Sequence, residues 1–372
     1  MTKESRLKII FKASIVAIAV NIALGIFKAI VGVISNSIAI TNDAINNFTD
    51  AGSGLVTVLS SYFAGKNADR KHPFGYGRTE YLGTLLIGVL ILYAGITSFA
   101  ESVKSIIHPE AAEYATVSLI IIAVAIAAKI MLTIFISRAG KKANSDSLIA
   151  ASKESLGDIT ISVATLVAAF IFIFAGVSIE AWLGAVIALL ISKAGAEVLL
   201  ETVSKLLGES GDAALVRDIK AAIREHENVK GAYDLILHNY GPEDYMGSVH
   251  IEVEDSLPMN RFDELSREIE ADIFEKFGVY LSAIGVYSVN TMDTEIIAVR
   301  EDVKSIALGI EHVNQLHGFY INQEKKIMQF DLVISFGAAD RKKVFEEAIS
   351  RINEKYPEYK VNAGMDTDYN EL

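Results

Sequence analysis

The chain contains no cysteine, which excludes disulfides and thiolate metal ligands together. Charge is scarce through much of its first half. Between Ile9 and Gly65 only Lys12, Lys28, Asp43 and Asp50 carry it. None of the long apolar runs holds a histidine. An intramembrane metalloprotease built on H-E-x-x-H therefore has no residues to stand on. Basic excess is missing too: the net charge of -12 argues against a nucleic-acid partner and fits a chain that attracts cations.

What is present is hydrophobicity. Apolar residues make up 51% of the 372 positions, with mean hydropathy +0.36, and the first suspicion is membrane segments. A bilayer core needs about 20 helical residues to cross it. Six runs qualify: 9–34, 37–64, 81–100, 115–137, 147–175 and 179–200. The N-terminal run is too long, and too soon followed by others, for a cleavable signal peptide. Lys3, Arg6 and Lys8 precede the first run; Lys66, Arg70, Lys71 and Arg78 lie between the second and third; Arg138, Lys141 and Lys142 lie between the fourth and fifth. The alternate connections are Ser35-Asn36-Ser37, an acidic one with Glu101, Glu110 and Glu113, and Gly176-Val177-Ser178. The positive-inside rule puts both termini in the cytoplasm, with the protein in the plasma membrane.

Charge becomes dense after Glu209, so the membrane part is expected to end at 208 and a soluble tail to begin at 209. Helix 214–226, strands 231–239 and 247–253, helix 261–277 and strand 281–288 follow by periodicity, an α-β-β-α-β order of ferredoxin-like type. The same order recurs, with helices at 302–311 and 341–356 and strands at 317–323, 326–336 and 360–365. VRDIKAAI aligns with REDVKSIA, and MGSVHIEV with IMQFDLVI. Two tandem copies, 209–293 and 294–372, are the reading; one irregular α/β domain is the alternative. The fold class is thus an α-helical membrane protein of six transmembrane helices followed by cytoplasmic α+β ferredoxin-like domains.

A charge inside a bilayer costs about 2.5–3.5 kcal/mol on insertion scales, so it needs a reason. The second run reads SIAITNDAINNFTDAGSGL and the fifth SDSLIAASKESLGDITISV. Asn46 with Asp50, and Glu154 with Asp158, each stand four residues apart, about 6 Å along one helical face. Packed face to face, two such helices offer four oxygen ligands to a cation. Ala44, Ala51, Gly52, Gly54, Ala151 and Gly157 are small enough to let them approach. Asp43 serves either the helix entrance or an access path, and Asn42 and Asn47 read as caps or interhelical glue. Lys28 and Lys129 lie toward run ends and read as snorkelling.

These polar pairs, the loop KNADRKHPFGYGRTEYLG and the α/β tail together resemble the cation diffusion facilitator family over residues 7 to 290. The resemblance implies a homodimer that exports divalent metal by exchange for protons, with its site between the second and fifth spans. The family's transport pairs fall on Asn46 with Asp50 and Glu154 with Asp158, without the usual histidine, and Ala151 stands where an acidic residue is common. It further implies a loop site at Asp69 and His72, with Tyr76 in place of a histidine. In the tail it implies a site at His250 and Asp263, incomplete because Tyr233 and Tyr287 replace histidines. His226, His238, His312 and His317 read as solvated or strand residues, and Arg78 and Glu80 as part of a cytoplasmic ion-pair network.

Within that resemblance an all-oxygen set favours Mn²⁺, with Zn²⁺ and Fe²⁺ as alternatives. Three packed carboxylates repel one another, so some should hold protons until metal arrives. Beyond transported metal, protons and lipid, no cofactor is expected. A metal-responsive membrane sensor is the competing class; it has no need of ligands buried between spans. A passive channel would want a pore-lining ring.

Overall fold

The computed structural model describes residues 3–34, 38–108, 116–175, 179–209, 213–242 and 244–366. The chain forms two compact units. One is Met1–Glu209 with Tyr240–Glu243, and the other is Ser210–Asn239 with Asp244–Leu372.

The first unit is helical: α1 (Lys3–Ile34), α2 (Ile38–Ala64), α3 (Thr79–Ile107), α4 (Thr116–Ala143), α5 (Asp146–Ala175) and α6 (Glu180–Leu207). Among the described residues, Glu4–Val31, Thr79–Ile107, Ile122–Ala143 and Ala181–Leu207 are long and apolar enough to cross a membrane. They belong to α1, α3, α4 and α6. α2 and α5 have the length, at 27 and 30 residues, but carry the polar series that dilutes their hydropathy. The outer faces are apolar: Ile26, Ile30, Leu82, Met131, Phe174 and Leu200 are exposed. Lipid rather than water suits such a surface.

Inside, α1 packs on α2, α3 on α6, and α4 on α5, while α2 also meets α5. Ile10, Ala13 and Ala17 of α1 bury against Leu132 and Ile136 of α4 and Leu148 of α5. Ile87 and Ile91 of α3 bury against Ala150 of α5 and Val198 of α6. Two glycines let α3 and α6 approach closely. A Cβ on Gly95 would stand 2.7 Å from the Ser192 nitrogen, and one on Gly195 would stand 2.6 Å from that of Leu92. Gly54 faces Ile18 of α1 and Gly157 faces Ile191 of α6, so these two do not serve the α2–α5 approach.

The polar end of this bundle is clamped by a buried pair. Arg6 donates to Glu80 Oε2 at 2.7 Å and to the Ala143 carbonyl at 2.7 Å. Ser145 donates to Glu80 Oε1 at 2.6 Å. The start of α1, the start of α3 and the α4–α5 connection thus share one ion pair. Gly208, at φ 96°, ends α6 in the left-handed conformation that glycine adopts without strain.

The second unit holds α7 (Ala213–Arg224), β1 (Gly231–Asn239), β2 (Tyr245–Glu254), α8 (Met259–Phe277) and β3 (Val279–Val289). It continues with α9 (Thr294–Leu308), β4 (Val313–Asn322), β5 (Ile327–Ile334), α10 (Arg341–Lys355) and β6 (Lys360–Asp366). Each half has its own three-stranded sheet, β1-β2-β3 and β4-β5-β6. In each the central strand pairs antiparallel with the first and parallel with the last.

Equivalent letters fill equivalent core positions. Ile219 and Ile223 of α7 match Val303 and Ala307 of α9; Val249, Ile251 and Val253 of β2 match Phe330, Leu332 and Ile334 of β5. All ten are buried. α9 starts eight residues before the 302 that periodicity indicates, because the Asp293 side chain accepts from the Glu295 and Ile296 amides and caps it there.

Candidate metal centre

The helical repeat puts Asp50 of α2 and Glu154 and Asp158 of α5 where these helices meet. A fourth residue joins them from α4. The Lys129 ammonium donates to Asp50 Oδ2 at 2.8 Å and to Asp158 Oδ2 at 2.7 Å. Its side chain is only 6% exposed, and the Lys28 side chain is fully buried. The snorkelling reading is therefore corrected for both: neither reaches the bundle surface. In Lys129's case two carboxylates offset the cost of burying an ammonium. Glu154 accepts from Ser53 Oγ of α2 at 3.0 Å and lies within electrostatic reach of both aspartates.

Asn46 is exposed, a turn before Asp50, while its neighbour Asn47 is fully buried. The side chain of Asp43 lies outside the described residues. The sequence had no direct signal for Lys129, because a lone lysine near a run end is far more often a membrane anchor than a counterion.

In the loop after α2, Asp69 and His72 are neighbours. The amides of Lys71 and His72 and the hydroxyl of Tyr76 all donate to the Asp69 carboxylate, and His72 Nδ1 stands 3.6 Å from it. The Tyr76 hydroxyl bond, then the His72 amide, hold the Asp69 pKa below its usual range. In this conformation Asp69 organises the loop.

In the tail, Asp263 is engaged by Arg267 at 3.0 Å on the exposed face of α8. His250 faces elsewhere: its Nδ1 lies 2.8 Å from Asp234 Oδ2. Beside them stands His317, 3% exposed, so of the two readings, solvated or strand, this histidine takes the second, within β4. Burial acts to raise the pKa of Asp234, but the His250 and His317 rings against its oxygens outweigh this and leave it well below the carboxylate range. Asp234 in turn raises the pKa of His250, partly opposed by burial.

Residues 14–207 match the cation efflux transmembrane domain, and residues 212–284 match the cytoplasmic domain of cation efflux proteins. An uncharacterized transporter of Methanocaldococcus jannaschii is 27% identical, over 70% of this chain and 91% of the relative. The manganese efflux system protein MneP of Bacillus subtilis is 24% identical, over 72% and 91%. A cadmium, cobalt and zinc/H(+)-K(+) antiporter of Bacillus velezensis is 26% identical, over 68% and 80%.

A membrane domain of packed helices with carboxylates between them, followed by an α+β tail, is the architecture of a cation exporter. The chain belongs to the cation diffusion facilitator family: it is a membrane-embedded divalent cation efflux transporter and not an enzyme.

Proposed function

We propose that this protein exports Mn²⁺ from the cytoplasm in exchange for protons, as a homodimer with six spans per subunit and both termini cytoplasmic. α2 and α5 count as the two further spans, their polar series facing inward. The tail repeats, of ferredoxin-like type, hang on the cytoplasmic side.

The observation that carries this reading is the Asp50–Lys129–Asp158 bridge beside Glu154. Three carboxylates share one ammonium, so the site is short of positive charge, and a divalent ion answers that better than a monovalent one. Metal entering from the cytoplasm would displace the ammonium and any protons held by the acids. Protons returning from outside would release it. The donors are oxygens, with Ser53 and Asn46 as further neutral ones, and oxygen suits Mn²⁺ better than it suits the softer metals. Zn²⁺ or Fe²⁺ would be carried by the same steps. Asp43 lies on the access path in this reading.

The test is metal uptake by everted vesicles under an imposed pH gradient, for Mn²⁺, Zn²⁺ and Fe²⁺, in the native protein and Asp50→Ala. Manganese uptake that follows the gradient and vanishes with Asp50 supports it. Zinc uptake without manganese overturns the metal assignment, and normal uptake by Asp50→Ala overturns the site.

A further inference from the structure

The two halves of the tail meet where β3 packs against β4, and their equivalent strands bring chemistry to that contact. In register, Tyr233 pairs with His250 and His250 with Gly285; in the second half His317 pairs with Asp331 and Asp331 with Gly364. Both first strands slip register just after those positions, between Tyr233 and Ile236 and between His317 and Tyr320. Asp234 occupies the first irregularity at φ 52° and Gly318 the second at φ 64°. A bulge of this kind re-aims a side chain, and an aspartate tolerates the left-handed region better than most residues.

We propose that Asp234, His317 and Asp366 bind a divalent first-row transition metal between the two halves of the tail. One ligand atom from each of the three lies within 4.8 Å of the others. His317 Nε2 stands 2.8 Å from Asp234 Oδ1 and 3.6 Å from Asp366 Oδ2. Neither nitrogen of His317, nor Asp234 Oδ1, has a hydrogen-bond partner. The 2.8 Å contact lacks the alignment of a ring hydrogen bond, so His317 Nε2 and Asp234 Oδ1 converge without one between them.

A buried polar atom left unsatisfied is destabilising, and a cation bound at the convergence satisfies His317 Nε2 and Asp234 Oδ1 together. Two ligands that each sit about 2.0–2.2 Å from one metal fall near this spacing.

The surroundings are built for it. Tyr287 donates to Asp234 Oδ2 at 2.7 Å and His250 Nδ1 lies 2.8 Å from the same oxygen, which orients Oδ1 toward His317. The His317 ring is held flat against Tyr233, centroids 5.0 Å apart at 6°. A side chain at Gly364 would collide with Asp331, and one at Gly318 would meet Tyr287 at 2.9 Å. Asp331 adds a third carboxylate to the rim, with Tyr287 hydroxyl 3.5 Å away. One imidazole with carboxylates suits Mn²⁺, Fe²⁺, Co²⁺ or Zn²⁺ and disfavours the all-oxygen ions Mg²⁺ and Ca²⁺. Two of the three ligands lie past the family's tail match, which ends at residue 284.

The probe is Co²⁺ on the full chain in detergent, with Asp50→Asn and Asp158→Asn in place so that the bundle cannot contribute. Bound cobalt and its visible d–d spectrum are measured after dialysis. The expected result is stoichiometric cobalt, lost in His317→Gln and in Asp366→Asn and retained in His226→Gln, with circular dichroism unchanged. Cobalt content that survives His317→Gln, or falls equally in His226→Gln, overturns the proposal.

A second readout needs no tail substitution. Mn²⁺ bound to the same bundle-silenced protein should show ¹⁴N hyperfine coupling from a coordinated imidazole, and its absence overturns the proposal as well.

Discussion

The Lys129 ammonium lies 2.7 Å from the Asp158 carboxylate, a cation of the chain's own seated between α4 and α5. Any metal that uses Asp158 and Asp50 must first break this pair. Lys129→Gln removes the competitor, so Mn²⁺ should bind at least about tenfold tighter, since 1.4 kcal/mol is a factor of ten. Turnover should fall because release slows. Isothermal titration in detergent alongside vesicle uptake reads both, and an unchanged affinity would mean the lysine does not compete.

Replacing an oxygen ligand with imidazole should move the metal preference. Glu154→His is expected to raise zinc uptake relative to manganese, because nitrogen ligands suit Zn²⁺. Competition between the two metals in proteoliposomes measures the ratio. A variant that keeps the native ratio would remove Glu154 from the site.

The Arg6–Glu80 pair is buried, its side chains 6% and 0% exposed. Glu80→Ala removes the counter-charge of a guanidinium buried inside the bundle and should cost about 3–5 kcal/mol, seen as a large drop in the detergent melting temperature. Glu4→Ala, which removes the exposed partner of Lys8, should leave the melting curve in place.

Gly95→Ala tests the α3–α6 contact. The added methyl meets the Ser192 backbone, which cannot rotate away, so overpacking should cost about 1–3 kcal/mol. Ala94→Gly, next to it, supplies the comparison, and equal melting of the native protein and Gly95→Ala would show the helices free to part.

Acid should weaken the second half of the tail through Asp302. The Lys355 ammonium and then the Tyr356 hydroxyl lower its pKa in the folded state. A carboxylate depressed on folding contributes stability that is complete above its unfolded pKa of about 3.9 and is lost as pH falls through the folded value. Urea midpoints of the tail in the full chain should therefore drop below about pH 4, with a smaller drop in Asp302→Asn.

The legible part of this protein is periodic. Runs of apolar residues announced long helices, and VRDIKAAI against REDVKSIA placed Ile219 and Val303 at the same buried point of two helices. The start of α9 was hidden because 294–301 is amphipathic only weakly, and a single cap at Asp293 decides it. His317 looked like one more polar strand residue. Nothing local distinguishes it from His312, since its burial comes from Tyr233 and Asp234, more than eighty positions earlier in the chain.

Composition and spacing alone therefore determined that this chain is a membrane protein, that side-chain oxygen donors sit inside its helices four residues apart, and that an α/β tail follows. Those properties are local: hydropathy and a 3.6-residue repeat act over a few turns. Only the tertiary structure decided that Lys129 bridges Asp50 and Asp158, that Glu80 answers Arg6, and that Asp234 meets His317. Each is a pair of charged or polar groups whose partner lies far along the chain. Burial makes the pairing obligatory, but which partner is chosen depends on how helices and sheets stack.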